Sequence, residues 1–182
     1  VRSVSSVALQ LLRAIEEMDM FWVEIDTFNP VALGYIRRQS KHPISSCETL
    51  LGLREFLPYF REQAMDVAII DTPWNGVRQS MKIAAAAEHY EVSVAPHNFY
   101  GHLCTMMNAH FAAAIPNLRI MEIDIDRLAW DDALFTAVPT IEDGHLVMPD
   151  TPGWGLDPNE EAFKEYPPKQ HGGLDYGKRQ TA

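Results

Sequence analysis

The chain has 182 residues, 47% hydrophobic and 22% charged, a balance typical of a soluble globular protein. Its net charge of −10 disfavours binding to the phosphate backbone of nucleic acids. No apolar run approaches the roughly 20 residues that a membrane span requires, and no signal-peptide pattern is visible. Cys47 and Cys104 provide neither a disulfide framework nor metal-finger spacing, so we expect a reducing, cytoplasmic setting.

Five segments show the spacing of apolar residues that predicts amphipathic helices. Proline suits the first turn of a helix, so Pro30 is expected to open the second of them. The last two are rich in alanine, which lets a helix pack closely against a sheet. The predicted helices span residues 4–18, 31–39, 51–63, 77–89 and 101–114.

Short apolar runs lie between and after these helices, and each run ends in an acidic residue or a histidine. Strands that alternate with helices of this length indicate a parallel sheet with right-handed crossovers. In a parallel barrel, the ends of such strands converge on the face that carries the catalytic groups. The residues at these positions are Glu24, Glu48, Asp71, His97 and Glu122.

The last third of the chain has a different character. One helical turn is predicted at residues 130–133, and Asp143-Gly144 favours a β-hairpin turn within residues 140–148. From His171 onward the chain is polar and rich in glycine, so we expect poor order there. We divide the chain into a partial barrel (1–138), a C-terminal segment (139–168) and a polar tail (169–182).

The sequence is predicted to be part of a larger domain, since a complete eightfold barrel takes about 250 residues. It also opens inside a predicted helix, with neither an initiating methionine nor a leader. A half-barrel exposes sheet edges and apolar surface, so a truncated, non-catalytic chain is expected to associate with a partner or to aggregate.

Glu24 and Glu48 are candidate ligands of a hard divalent cation such as Mg²⁺, which prefers oxygen donors. The alternative is that each caps the following helix or pairs with a basic side chain. Their position at the ends of neighbouring predicted strands favours the metal interpretation. Two carboxylates seldom suffice, so a third ligand is expected on a strand before residue 1.

Asp71 and His97 end the next two predicted strands. A carboxylate beside an imidazole orients the ring and favours its charged form, which prepares the histidine as a general base. Taken singly, the aspartate could be a helix cap and the histidine a packed residue. Glu122 ends the last run and is a candidate proton donor, a hydrogen-bond partner for a developing oxyanion, or an exposed acid.

The five runs together resemble the enolase superfamily, and more narrowly its mandelate racemase and muconate lactonizing enzyme branch, which includes many acid-sugar dehydratases. The similarity extends from about residue 4 to residue 160. Each motif alone is weak, but five in order at matching spacing form a specific signal. The motifs lie at residues 22–24, 44–48, 66–71, 94–98 and 116–122.

This resemblance implies an α/β fold, namely the C-terminal part of a modified TIM barrel of the (β/α)₇β type. Residues 1–138 would supply strands four to eight of the parent barrel. The C-terminal segment would return toward a missing N-terminal α+β capping domain. The resemblance also implies that the chain needs that domain and the first barrel strands, and that the protein is a homo-oligomer.

For the site, the resemblance implies Mg²⁺ held by three carboxylates, with Glu24 and Glu48 as the second and third. It implies that Asp71 and His97 act together as the base and that Glu122 hydrogen-bonds an enediolate intermediate. The sequence departs from the family pattern at Ile25-Asp26, where a second glutamate and a proline are common. The loop after Asp71 is also one residue short.

The function implied is Mg²⁺-dependent abstraction of a proton α to the carboxylate of a small-molecule acid. The leading expectation is a lyase that dehydrates a sugar acid to a 2-keto-3-deoxy acid. A racemase or epimerase of a 2-hydroxy acid and a non-catalytic half-barrel are the alternatives.

Overall fold

The computed structural model describes residues 4–126, 128 and 130–167. The helices are α1 (Val4–Ala14), α2 (Pro30–Gln39), α3 (Gly52–Arg61), α4 (Thr72–Asn75), α5 (Val77–His89), α6 (His102–Ala113) and α7 (Glu160–Glu165). The strands are β1 (Val23–Glu24), β2 (Ile44–Ser46), β3 (Val67–Asp71), β4 (Ser93–His97), β5 (Ile141–Glu142) and β6 (His145–Leu146). A 3₁₀ turn lies at Asp131–Leu134.

The first four strands form one parallel sheet in the order β1-β2-β3-β4. Sequential order is the arrangement of a barrel, whereas a doubly wound sheet reverses its strand order at a switch point. The Arg119 guanidinium carbon lies 4.6 Å from the centre of the Phe21 ring, so the segments flanking β1 and β4 approach each other. The sheet is therefore curved, and the predicted α/β fold is confirmed.

The sheet is held by apolar packing against the helices on its outer side. All five residues of β3 are buried, as expected for a central parallel strand covered on both faces. The fully buried residues behind it come from α2, α3 and α5 and include Leu33, Ile36, Phe56, Phe60 and Ile83. This core fixes the positions of the strand ends.

The fifth predicted strand is present only as an extended segment beside β4. Val94 pairs with Leu118 in a single parallel bridge, and the Arg119 N–H donates to the Val94 carbonyl over 2.8 Å. The Glu122 N–H reaches the Pro96 carbonyl at 3.3 Å. The prediction of a regular strand there is wrong, but the segment still carries Glu122 to the strand ends.

Two other predictions need correction. The loop expected after Asp71 is the short helix α4, because an Asp71 carboxylate oxygen accepts the Trp74 N–H over 2.8 Å and Pro73 suits the first turn. Gly76, at φ +72°, ends it in the left-handed region that glycine tolerates. The first helix ends at Ala14, four residues earlier than predicted.

The C-terminal segment packs on α6. Its predicted hairpin is formed by β5 and β6, and Asp143 and Gly144 both have positive φ, as a tight hairpin turn requires. Leu156 packs with Met106 and Ala109 of α6.

The expected polar tail, 169–182, lies outside the described residues, and the domain boundaries and capping domain stay predictions. Within the described ranges, no helix is both long and apolar enough to cross a membrane.

Candidate active site

The predicted proximity of Asp71 and His97 is confirmed by the structure. The two residues are register partners at the ends of β3 and β4, and His97 Nδ1 lies 2.9 Å from Asp71 Oδ2. Asp71 is only 1% exposed, so its charge is held almost entirely by protein donors. Because the carboxylate accepts, the hydrogen bond places the proton on Nδ1 and leaves the Nε2 lone pair free.

The other ring nitrogen of His97 faces two glutamates. Nε2 lies 3.4 Å from Glu48 Oε1 and 3.9 Å from Glu122 Oε2. Glu48 follows β2 by two residues and is brought to the ring by Cys47, whose φ of +87° turns the chain sharply. A cationic His97 ring would therefore have Asp71 beside Nδ1 and the carboxylate of Glu48 beside Nε2, and both would stabilise its charge.

Glu24, Asp26 and Glu48 form a cluster of carboxylates beside the imidazole. One oxygen from each lies within 4.8 Å of the others. Hard divalent cations bind such all-oxygen sets, so the donor chemistry fits Mg²⁺. Asp26 Oδ1 also accepts from Ser46 Oγ (2.9 Å) and the Cys47 N–H (3.2 Å), which ties β2 to the chain after β1.

The pKa of Glu24 is raised by its surroundings. Partial loss of hydration, followed by repulsion from Asp26, Glu48 and Glu122, raises this pKa from 4.5 to about 7. His97 opposes the shift. A bound cation would reverse this local electrostatic balance and keep the carboxylate ionised.

Glu122 is held in place by its neighbour across the sheet. The Asn98 N–H donates to Glu122 Oε2 over 2.9 Å, and Asn98 Nδ2 donates to the Glu122 carbonyl over 3.1 Å. The side chain of Asn98 is fully buried and also contacts Thr105 Oγ1. The structure thus brings all five predicted residues to one end of the sheet.

These side chains surround a cavity of about 410 Å³, a size typical of small-molecule sites. Aromatic and aliphatic residues such as Trp22, Ile69 and Met121 form its apolar walls. Its polar groups are Glu24, Glu48, His97 and Glu122. The cavity at the strand ends is therefore large enough to accept a small organic acid.

Two residues beside the predicted ones were not predicted to belong to the site. Asp26 joins the carboxylate cluster, and its signal was its position two residues after Glu24, on the same side of an extended chain. Tyr100 donates its hydroxyl to Asp71 Oδ2 over 2.6 Å. Tyr100 lies three residues after His97, which places it near the site. The sequence pattern does not show which way a loop side chain points, so its contact with Asp71 could not be predicted.

A curved, sequentially ordered parallel sheet with a His–Asp pair beside clustered carboxylates defines a portion of a (β/α) barrel with a candidate acid–base and metal site at its strand ends. The family model described as "Enolase C-terminal domain-like" matches residues 3–162. The chain belongs to this family, within the enolase superfamily and its mandelate racemase/muconate lactonizing enzyme branch.

Curated relatives are named as sugar-acid dehydratases. D-xylonate dehydratase of Haloferax volcanii is 31% identical over 165 residues, covering 87% of this chain and 39% of that protein. Arabinonate dehydratase of Saccharolobus solfataricus is 29% identical over 166 residues, covering 87% of this chain and 43% of that protein. The chain therefore spans about two-fifths of the length of these relatives.

A more similar solved structure has a different name. The crystal structure of a "putative L-alanine-DL-glutamate epimerase" from Burkholderia xenovorans strain LB400, bound to magnesium and fumarate, is 61% identical to this chain. The TM-score is 0.90, and the match covers 95% of this chain and 43% of that one. The relatives thus include both dehydratase and epimerase names.

Proposed function

We propose that the complete protein removes the proton α to a carboxylate with the help of Mg²⁺, and that it dehydrates a sugar acid to a 2-keto-3-deoxy acid. The observation that carries this proposal is the geometry of His97. Its Nδ1 is fixed by a buried carboxylate, and its Nε2 faces a cavity of small-molecule size beside a carboxylate cluster. A general base must be oriented in this way to accept a proton from a bound substrate.

Glu24 and Glu48 are the residues that would hold the cation, and Asp26 adds a third oxygen donor within reach. A bound Mg²⁺ would neutralise the substrate carboxylate and disperse the charge that develops when the α proton leaves. The further ligand that the sequence analysis expects on a strand before residue 1 would complete the coordination.

In the proposed reaction, His97 Nε2 takes the α proton while Asp71 keeps the ring in the required tautomer. Glu48, 3.4 Å from Nε2, stabilises the imidazolium that forms. Glu122, 3.9 Å from Nε2, hydrogen-bonds the enediolate. The β-hydroxyl then leaves as water, taking a proton from His97 or another acid, and the enol product tautomerises to the 2-keto-3-deoxy acid.

Epimerisation is the second candidate, because the 61% identical structure is named for an L-alanine-DL-glutamate epimerase. That reaction needs a base on each face of the α carbon. Among the described residues that line the cavity, His97 is the one nitrogen base, and no lysine joins it. A two-base reaction would therefore require its second base from elsewhere in the complete protein.

The test is to incubate the complete protein with Mg²⁺ in D₂O with D-xylonate, arabinonate, D-galactonate and the two L-alanyl-glutamate epimers. A 2-keto-3-deoxy product supports dehydration. Deuterium at the α carbon of an unchanged or inverted dipeptide supports epimerisation. The variant His97→Asn should lose both exchange and turnover but retain Mg²⁺ binding.

Undiminished α-proton exchange in His97→Asn would remove this residue from the proposed role. A protein that neither exchanges nor consumes any member of the panel would favour the non-catalytic alternative.

A further inference from the structure

The carboxylate of Asp71 accepts three hydrogen bonds, and two of the donors, Trp74 and Tyr100, lie outside the His–Asp pair. Asp71 Oδ1 accepts the Trp74 N–H over 2.8 Å, which caps α4. Asp71 Oδ2 accepts from His97 Nδ1 at 2.9 Å and from the Tyr100 hydroxyl at 2.6 Å. The shortest of the three contacts is thus made to the same oxygen that orients the imidazole.

Tyr100 is well placed to remain a donor. Its ring meets the His97 ring edge to face, with centroids 5.7 Å apart and an interplanar angle of 88°. Loss of hydration, with the hydrogen bond and the charge of Asp71, raises the pKa of the Tyr100 hydroxyl well above its ordinary value of 10. The phenol therefore stays protonated and donates to the carboxylate.

We infer that Tyr100 is a positioning residue of the proposed reaction: its hydroxyl fixes the Asp71 carboxylate in the orientation that presents Oδ2 to His97 Nδ1. A buried carboxylate is stabilised by the donors around it. Loss of one donor destabilises the folded state and leaves the carboxylate freer to rotate. With Oδ1 held by Trp74 and Oδ2 held by Tyr100, rotation of the carboxylate away from the imidazole is opposed at both oxygens.

Tyr100 is not among the described residues that line the cavity, so its effect should reach the substrate only through Asp71 and His97. This inference rests on the proposed function, because it assigns His97 as the base. It predicts an effect on the catalytic step with little effect on substrate binding, which a substrate-contacting tyrosine would not produce.

The experiment compares Tyr100→Phe, which keeps the ring and removes only the hydroxyl, with Tyr35→Phe on the exposed face of α2 as the matched control. In the complete protein labelled with ¹⁵N-histidine, the His97 Nδ1–H proton resonance is assigned by its loss in His97→Asn. The kinetic measurement uses the panel acid that the wild type exchanges fastest.

Tyr100→Phe is expected to displace the Nδ1–H resonance and to lower kcat about tenfold with KM unchanged, the scale of one lost hydrogen bond to a charged group. Tyr35→Phe should change neither. Wild-type kcat in Tyr100→Phe overturns the inference, and so does a fall in kcat with an undisplaced resonance, because the loss would not then act through the Asp71–His97 bond.

These outcomes are separate from those that test the proposed function. If His97→Asn abolishes exchange while Tyr100→Phe behaves as wild type, only the inference about Tyr100 fails. If His97→Asn retains full exchange, the proposed base is wrong whatever Tyr100→Phe does. For a protein that turns over none of the panel, the resonance alone decides whether Tyr100 orients Asp71.

Discussion

Asn98 holds Glu122 from two directions: its backbone N–H donates to Oε2 over 2.9 Å, and its side-chain Nδ2 donates to the Glu122 carbonyl over 3.1 Å. Asn98 directly follows His97, and its side chain is fully buried. The segment that carries Glu122 makes only a single strand bridge to β4, at Leu118. The position of Glu122 therefore depends strongly on Asn98.

Replacing Asn98 by alanine should lower both stability and turnover. The Glu122 carbonyl loses the donor of a part-buried hydrogen bond, which costs about 1 kcal/mol, and Glu122 is less firmly held near His97. Asn117→Ala is the matched control, since Asn117 Nδ2 also donates to two backbone carbonyls, of Ala84 and Val92, away from the site. Thermal melting should fall in both variants, whereas kcat should fall only in Asn98→Ala. Equal losses of kcat in the two variants would contradict this assignment.

Glu48→Gln should weaken Mg²⁺ binding to the complete protein, because a neutral amide replaces a carboxylate of the candidate metal cluster. The expected loss of affinity is about 100-fold or more, beyond the 10–100-fold typical of residues that only support ligands. Isothermal titration calorimetry measures it directly. Glu88→Gln on the exposed surface of α5 is the control and should bind as wild type. Unchanged affinity in Glu48→Gln would exclude Glu48 as a ligand.

The raised pKa of Glu24 makes metal-free stability depend on pH. With a folded pKa of about 7 against an ordinary 4.5, the folded state binds more protons than the unfolded state between these values. Stability contributed by this group is therefore lost as pH rises through that window. In EDTA at pH 8, Glu24→Gln should melt at a slightly higher temperature than the wild type, and the difference should shrink toward pH 4.5.

The size of this effect is limited because Glu24 is exposed and its repulsions are screened. Added Mg²⁺ provides the control, since it should stabilise the wild type more than the variant and reverse the order of melting temperatures. If Glu24→Gln melts below the wild type in EDTA at pH 8, the ionised Glu24 does not destabilise the folded protein and the prediction is wrong.

At position 47 we expect a glycine variant to be more stable than an alanine variant, the reverse of the usual order. The Cys47 φ of +87° lies in the left-handed region, where a Cβ atom is strained and glycine is not. Cys47→Gly should therefore be more stable than Cys47→Ala by about 1 kcal/mol. At Cys104, within α6, the order should be the usual one, with alanine the more stable. Thermal melting of the four variants tests this, and the usual order at both positions would contradict it.

The alternation of apolar runs and helical patterns predicted the parallel sheet and the position of five polar side chains at one end of it. This succeeded because burial of β3 and β4 fixes which residues face the core, and polar groups that close the strands then lie together. The regular strand before Glu122 was predicted wrongly, because its backbone pairs with β4 through a few bonds that apolar content does not reveal.

The helix α4 and the role of Tyr100 could not be read from pattern alone. Both depend on which way the Asp71 carboxylate turns at the end of β3. That orientation is decided by three donors that are brought together only when the strands are assembled. Sequence periodicity predicts where a strand ends, whereas the contacts of the loop that follows depend on the folded neighbours.

The carboxylates that gather at the strand ends also set the sequence of events in the proposed reaction. An anionic substrate that arrives first meets Glu24, Asp26, Glu48 and Glu122, all of its own sign. Mg²⁺ removes this repulsion and supplies the positive charge that attracts an acid. Steady-state kinetics of the complete protein should therefore show compulsory addition of the cation before the substrate, with productive association of the acid confined to the metal-loaded form.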